Sequence, residues 1–429
     1  MERETIAASG ALRDVWRALW ISRALVWVAG VGAVLALGRS GRWRDFDPAG
    51  LTAPFGAAGD ALVAPAARWD AVWYLGIAAG GYEPDELRTA FFPLYPLLVR
   101  LAGAPPALLG DDRAAYLLAG IAVSLVAFAV ALYVVHRLTA LELGEDVART
   151  TVWIVALFPT AWAFSAVYTE SLFLALSAGA LYAGRLGRWP AAGVLGLLAA
   201  ATRSTGALLV VPLLILWLQH RHSGADATRG GRPGRDPAAG GRGPWWPLAW
   251  ICAVPLGLAA YAGYLALETG DPWAPFTVQE AWFRELAGPL GGAWDGATAA
   301  FDGARQLLSG SRTPAYFEPA GGDPYFVAAH NLGNFAFLVF AAVAIVGAFR
   351  RLPAAYATWA LLAVAAPVSY PVGPEPLASL PRYLAIVFPL HMWLALWARE
   401  HRAERVVLAA SAAGLAGLTI PFATWEWVA

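Results

Sequence analysis

AAYLLAGIAVSLVAFAVALYVV, residues 114–135, is an apolar run of 22 residues without a charged side chain. At about 1.5 Å per residue, a helix of this length matches the hydrocarbon core of a bilayer, which is about 30 Å thick. The whole chain has the same character, because 59% of its 429 residues are hydrophobic and only 14% are charged. Soluble proteins carry about 25% charged residues. The sequence therefore predicts an integral membrane protein.

Apolar runs recur along the chain and predict further spans. They lie at Trp16–Leu37, Thr150–Val167, Ser171–Gly184, Pro190–Trp217, Pro247–Leu267, Val327–Phe349, Ala354–Tyr370, Tyr383–Trp397 and Val406–Thr424. The expected fold class is an all-α membrane protein, a multi-span helical bundle with about 10–11 transmembrane helices. Residues 1–429 are expected to form one domain.

The distribution of arginine predicts the orientation, because cytoplasmic loops are enriched in basic residues. Arginines up to Arg23 precede or open the first span, which places the N-terminus inside. Residues 38–113 then form a long first extracytoplasmic loop, aromatic-rich enough to hold interfacial helices, and residues 268–326 form a second extracytoplasmic segment. Residues 219–244 are rich in Gly, Pro and Arg, and we expect them to be a flexible cytoplasmic linker.

The apolar stretch Pro190–Trp217 is long for one upright span, because its 28 residues make a helix of about 42 Å. Arg188 before it and Arg221 after it both indicate the cytoplasmic side. A break at Thr202–Gly206, making two short helices that meet near the outer face, agrees with both flanks and is the favoured interpretation. One tilted, unbroken helix is the alternative.

Composition disfavours several classes of function. The 30 basic and 30 acidic residues cancel, so nucleic acid is not an expected partner. Cys252 is the single cysteine, and no two histidines have ligand spacing on an apolar helix, so neither a disulfide framework nor a metal site is expected. The sequence contains no glycine-rich phosphate loop, and this disfavours a cytosolic nucleotide donor. We expect no cofactor.

The strongest chemical signal is Asp70, which lies in the first extracytoplasmic loop among aromatic residues. Such surroundings favour proton uptake by an acid and suit a general base. Transfer of a sugar from an activated lipid phosphate needs one base, which deprotonates the acceptor hydroxyl, because the phosphate leaves without a proton. The structural alternative is that Asp70 pairs with Arg68 or caps the following helix.

Three more ionisable residues lie at predicted span ends on the same side, namely Glu170, Arg203 and Arg382. Ionisable residues at membrane depth are functional candidates, and arginine binds phosphate bidentately. The alternatives are a helix-start carboxylate for Glu170 and an interfacial anchor for Arg382. Because isolated charges at membrane depth are costly, we expect these three residues and Asp70 to share one outer-face pocket.

Short motifs spread from Arg68 to Pro389 share one resemblance. They are Arg68-Trp69-Asp70, Tyr74, Gly81-Tyr82, Phe91-Phe92-Pro93-Leu94-Tyr95-Pro96, Tyr168-Thr169-Glu170-Ser171, Ala201-Thr202-Arg203, Gly206, Gln279, Trp282, Pro381-Arg382-Tyr383 and Phe388-Pro389. Together they resemble the PIG-V mannosyltransferase family, in its bacterial form.

The resemblance implies a glycosyltransferase of the GT-C superfamily. Such an enzyme transfers mannose, with inversion, from a polyprenyl- or dolichyl-phosphate-mannose donor to a glycolipid or glycan acceptor on the extracytoplasmic face of the cell membrane. The resemblance also implies that Asp70 is catalytic. It implies substrate or donor binding by the other motif residues, which are Arg68, Trp69, Tyr74, Tyr82, Phe92, Tyr95, Glu170, Arg203, Gln279, Arg382 and Tyr383.

Two other classes of function stay open. A transporter or flippase for lipid-linked sugars would need paired broken helices, and only one break is expected here. A non-catalytic partner in envelope-glycan assembly would need no base. Release of polyprenyl phosphate from a labelled donor separates the enzyme from both alternatives.

Overall fold

The computed structural model describes residues 2–83, 85–108, 110–229, 244–317, 323–426 and 428. Its first ten α-helices are α1 (Glu2–Leu37), α2 (Trp43–Phe46), α3 (Gly56–Val63), α4 (Ala71–Gly80), α5 (Leu94–Ala107), α6 (Asp112–Leu143), α7 (Glu145–Leu157), α8 (Glu170–Arg185), α9 (Trp189–Ala200) and α10 (Val210–Arg229). The others are α11 (Pro247–Ala253), α12 (Leu256–Glu268), α13 (Ala274–Thr277), α14 (Gly288–Ser309), α15 (Pro324–Arg351), α16 (Ala354–Val368), α17 (Leu380–Ala385), α18 (Phe388–Glu400) and α19 (Glu404–Ala423). The described residues contain no strand, which confirms the all-α class.

Five helical segments of the described chain are long and apolar enough to cross a membrane, and the bent pair of α11 and α12 makes a sixth. They are Gly10–Leu37, Asp112–Leu143, Ser204–His222, Pro324–Arg351 and Glu404–Ala423. The remaining predicted spans appear as shorter or interrupted helices. Proline explains two interruptions: α7 ends before Pro159, and Pro389 opens α18 just after α17.

The bundle has two chemically different ends. One end, which we call the arginine-rich end, joins neighbouring helices by ion pairs of Arg149 with Asp14 (3.1 Å), Arg185 with Glu142 (2.7 Å), Arg399 with Glu404 (3.4 Å) and Arg351 with Glu400. The other end gathers Asp70, Glu170, Arg203 and Arg382. The five candidate spans, or six with the bent pair, are fewer than the 10–11 transmembrane helices predicted, because several predicted spans form shorter or interrupted helices among the described residues.

Helices α9 and α10 form a hairpin. At its open end the rings of Trp189 and His220 lie 5.5 Å apart. At its closed end a 3₁₀ helix, Ser204–Leu209, folds back so tightly that a Cβ on Gly206 would lie 2.3 Å from the backbone of Ala199. The predicted break is therefore confirmed, although its second half is 3₁₀-helical rather than irregular.

Helix α10 continues to Arg229, through the first part of the predicted linker 219–244. Three turns that were expected to be flexible are thus helical, because the apolar run before them propagates the helix. The rest of that predicted linker, residues 230–243, lies outside the described residues.

Arg23 has a different place from the one predicted. It is 2% exposed inside α1, and it donates to the carbonyl of Ala161 (2.8 Å) and to Ser165 Oγ (2.7 Å). These acceptors belong to the 3₁₀ helix Ala161–Ser165, whose backbone lacks regular α-helical bonds. Arg23 therefore stabilises the irregular chain that leads to Glu170, and it does not mark the end of the first span.

Candidate active site

A tight turn places Asp70 in the site. Trp69 has φ of +51°, a left-handed conformation that is uncommon for a bulky residue. Tyr168 holds the turn, because its hydroxyl donates to the carbonyl of Arg68 (3.1 Å) and accepts from the backbone N–H of Asp70 (3.3 Å). Helix α4 begins at the next residue, so the Asp70 side chain is fixed between a strained turn and a rigid helix.

Four charged residues from distant parts of the chain meet next to this turn. Arg382 Nη1 lies 2.5 Å from Asp70 Oδ2, and Arg203 Nη1 lies 3.0 Å from Glu170 Oε1. Arg382 Nε also approaches Glu170 Oε1, at 3.5 Å. Glu170 is 2% exposed and Asp70 is 26% exposed, so Glu170 is buried under the cations while Asp70 stays accessible. The structure thus brings all four predicted residues together.

The structural alternative for Asp70 does not fit this geometry. Arg68 is fully buried and donates to the carbonyls of Ala423 (2.9 Å) and Ala67 (2.6 Å), with its guanidinium 5.3 Å from the Trp425 ring. Asp70 makes no side-chain capping bond to α4. The expected apolar surroundings are also incomplete, because Arg382 supplies a counter-charge. Asp70 is therefore a paired, accessible carboxylate.

A cavity of about 380 Å³ opens beside this network. Six predicted residues line it in addition to Asp70 and the two arginines, namely Trp69, Tyr74, Phe92, Glu170, Gln279 and Tyr383. Aromatic rings form one wall: Trp73 stacks on Phe91 at 5.5 Å, and Trp282 meets both at 6.2 Å. A wall of this kind can pack against the face of a sugar ring.

Arg68, Tyr82 and Tyr95 are not among the residues that line the cavity. Tyr82 donates to the carbonyl of Phe91 (2.8 Å), and Tyr95 donates to the carbonyl of Gly120 (3.0 Å). With Arg68, which ties the Asp70 turn to the end of α19, these residues support the wall from behind. The structure therefore does not place these three side chains on the surface of this cavity. A sequence motif does not give the direction in which each of its side chains points.

Several lining residues were not predicted as site residues, and two of them, Arg284 and Tyr370, carry polar groups on long side chains. Arg284 follows Gln279 and Trp282 by a few positions, which is the one signal that could have drawn attention to it. Tyr383, which was predicted, lies between the cations: its ring centroid is 4.7 Å from Arg203 and 5.5 Å from Arg382.

No group of three or more His, Cys, Asp or Glu side chains in the described part of the chain has the geometry to hold a metal ion. The two carboxylates of the site are already paired with arginine. The expectation that no cofactor is needed stays a prediction.

Comparison with known proteins gives a family match for part of the chain. Residues 55–223 match the family described as Mannosyltransferase (PIG-V). This confirms the resemblance drawn from the motifs, and the matched segment holds Asp70, Glu170 and Arg203. Arg382 and Arg284 lie beyond it.

Two curated relatives match a short part of the chain. GPI mannosyltransferase 2 of Cryptococcus neoformans var. neoformans serotype D, from strains JEC21 and B-3501A, is 34% identical over 122 residues. The match covers 28% of this chain and 28% of the length of those relatives.

Among solved structures, the apo oligosaccharyltransferase of Archaeoglobus fulgidus has a TM-score of 0.44 at 14% identity, over 95% of this chain and 56% of that chain. The AglB oligosaccharyltransferase of the same organism, in complex with an inhibitory peptide and a dolichol-phosphate, has a TM-score of 0.43 at 14% identity, over 96% and 56%. Likeness at this level carries no argument about function.

Proposed function

We propose that this protein is a membrane glycosyltransferase of the GT-C type, which transfers mannose from a polyprenyl-phosphate-mannose donor to a glycolipid or glycan acceptor. The observation that carries the proposal is the pair of Asp70 and Arg382, which places an accessible carboxylate beside a cation in a cavity with aromatic walls. The family match over residues 55–223 supports mannose as the sugar.

The chemistry requires one base and a cationic environment for the leaving group. The acceptor hydroxyl oxygen forms a bond to the anomeric carbon, while the bond from that carbon to the donor phosphate oxygen breaks. Asp70 takes the proton of the hydroxyl, and the phosphate leaves as a dianion. A single displacement inverts the anomeric configuration. Negative charge grows on the phosphate as the bond breaks, and fixed cations stabilise that charge more strongly than the ground state.

The buried Glu170 has a positioning role in this mechanism. It approaches Arg203 at 3.0 Å and Arg382 at 3.5 Å, so one carboxylate orients both guanidinium groups. A rigid, preorganised cation needs no rearrangement when charge develops in the transition state. Arg382 in turn holds the Asp70 carboxylate in one orientation toward the cavity.

The distribution of arginine supports an extracytoplasmic site. The arginine-rich end of the bundle is opposite to the cavity, and basic residues favour the cytoplasmic side of a membrane. Polyprenyl-linked sugars would then reach Asp70 from the outer leaflet. This assignment agrees with an acceptor in the cell envelope.

The direct test uses the full chain, purified and placed in lipid nanodiscs, with labelled polyprenyl-phosphate-mannose and a crude glycolipid fraction as acceptor. We expect release of polyprenyl phosphate and transfer of label, both abolished in Asp70→Asn. Polyprenyl-phosphate-glucose in a parallel reaction tests the choice of sugar. Movement of intact donor across the membrane of proteoliposomes, without release of polyprenyl phosphate, would instead support the transporter alternative and overturn the proposal.

A further inference from the structure

Arg284 differs from the other arginines of the cavity. Arg203 and Arg382 are paired with Glu170 and Asp70, whereas Arg284 has no carboxylate within ion-pair distance among the residues that the structure describes. A guanidinium group carries five donors that match the oxygens of a phosphate. An arginine that lines a cavity without a counter-charge is therefore available to an anionic ligand.

The backbone holds Arg284 in a defined place. Phe283 before it has φ of +55°, in the left-handed region. Arg284 itself forms an isolated antiparallel bridge with Val372, and the N–H of Ala287 donates to the carbonyl of Ser369 at 2.9 Å. These contacts join the segment after α13 to the segment before α17. The backbone of Arg284 therefore has a fixed position at the edge of the cavity.

The charges of the cavity have a definite balance. The described residues that line it include three arginines, Arg203, Arg284 and Arg382, against two carboxylates, Asp70 and Glu170. One positive charge is therefore in excess, and Arg284 is its source. Arg203 and Arg382 lie 4.7 Å and 5.5 Å from the centre of the Tyr383 ring, and Arg284 lines the same cavity as Tyr383.

We propose that Arg284 binds the phosphate group of the lipid-linked donor. This inference rests on the proposed function and adds the residue that recognises the donor's charge. A sugar phosphodiester carries one negative charge, which matches the excess of one positive charge. When the sugar leaves, the phosphate becomes a dianion, so the contact with Arg284 strengthens as the reaction proceeds. Arg382 then orients Asp70, and Arg203, which is held by Glu170, packs against the ring of Tyr383.

Binding without turnover tests this assignment independently of catalysis. The probes are polyprenyl phosphate, the uncharged polyprenol of equal length, and inorganic phosphate, each titrated against the full chain in nanodiscs. We expect the wild type to prefer polyprenyl phosphate to polyprenol, and Arg284→Ala to lose on the order of 10- to 100-fold in affinity for polyprenyl phosphate alone, as expected for a hydrogen bond to a charged group. Arg284→Lys should retain part of the preference.

The matched control is Arg312→Ala, because Arg312 lies in the same outer segment, is exposed, and pairs with Asp323 outside the cavity. It should bind polyprenyl phosphate as the wild type does. Thermal unfolding of Arg284→Ala checks that the fold is retained. Equal affinity of Arg284→Ala and wild type for polyprenyl phosphate would overturn the assignment, as would a wild type that does not distinguish polyprenyl phosphate from polyprenol. Inorganic phosphate should compete only weakly; competition as strong as that of the lipid would show a free-phosphate site instead.

Discussion

Arg382 Nη1 lies 2.5 Å from Asp70 Oδ2, although 312 positions separate these residues in the chain. Arg382 is 8% exposed and Asp70 is 26% exposed, so the cation is buried behind the carboxylate. The carboxylate therefore faces the cavity with one oxygen anchored, and the other can approach an acceptor hydroxyl. Each residue of this network therefore has a role of its own, which a substitution can test.

Asp70→Asn should abolish transfer and leave the fold intact. Asparagine keeps the shape and accepts the hydrogen bond from Arg382, but it cannot take the proton of the acceptor hydroxyl. Loss of a general base lowers the rate by about 10²–10⁴-fold. The rate of sugar transfer at saturating donor measures this change, and size-exclusion and thermal unfolding profiles check the fold. Turnover at the wild-type rate would make Asp70 structural.

Arg203→Ala should act mainly on donor binding. Its guanidinium lies beside the cavity but is held by Glu170, so its removal perturbs the cationic wall without touching the base. We expect a raised KM for the donor, with kcat recovering in large part at high donor concentration. A donor titration compares this variant with Asp70→Asn, which should not recover. The same failure to recover in both variants would contradict the separate roles.

Glu170→Gln should lower stability. The substitution removes the shared partner of Arg203 and Arg382, and it leaves two largely buried cations with less counter-charge. Breaking a buried ion pair on one side costs on the order of 3 kcal/mol. Thermal unfolding measures the loss. Glu400→Gln is the control, because Glu400 forms an exposed pair with Arg351 at the arginine-rich end, and it should change the unfolding temperature little. Equal unfolding temperatures for the two variants would contradict this prediction.

Gly206→Ala should weaken both the fold and donor binding. The new Cβ would lie 2.3 Å from the backbone carbon of Ala199, so the hairpin of α9 and α10 must open and Arg203 at its tip must move. Overpacking of this kind costs about 1–3 kcal/mol. Gly263→Ala on α12 is the control, since a Cβ there meets no atom within 4 Å. An unfolding temperature and donor KM of Gly206→Ala equal to those of the control would contradict the tight turn.

Much of the site was predictable because charge in an apolar sequence is rare and costly. Asp70, Glu170, Arg203 and Arg382 stood out against long apolar runs, and the expectation that they share one pocket agrees with the structure. Arg284 did not stand out, because it lies in a polar segment where an arginine needs no explanation.

Other residues were misplaced because the sequence does not give the direction of a side chain. Arg68 and Asp70 are two positions apart, yet the left-handed Trp69 between them sends one into the protein and the other into the cavity. Arg23 looked like a flanking cation of the first span, but the irregular backbone after Pro159 provides buried acceptors for it. The sequence around Arg23 gives no sign of these acceptors, because they lie in a distant part of the chain.

Cysteine labelling in intact cells should determine which end of the bundle faces the cytoplasm. With the exposed Cys252 replaced by serine, Thr313→Cys, in the exposed loop before α15, should react with a membrane-impermeant maleimide in intact cells. Arg350→Cys, at the far end of α15, should react only after permeabilisation. Labelling of both variants after permeabilisation is the control for reactivity, and the reverse pattern in intact cells would contradict an extracytoplasmic site.

The hairpin of α9 and α10 has a consequence for how the protein can change over evolution. Both of its connections leave from one end of the bundle, as the contact between Trp189 and His220 requires. Lengthening or shortening its tip would therefore leave the direction of every later helix unaltered. Arg203 lies at that tip, so a change in the length of the tip would move Arg203 and change the width of the cavity. The helices that follow would keep their positions. The hairpin is thus the place where the position of Arg203 can change with the least effect on the helices that follow it.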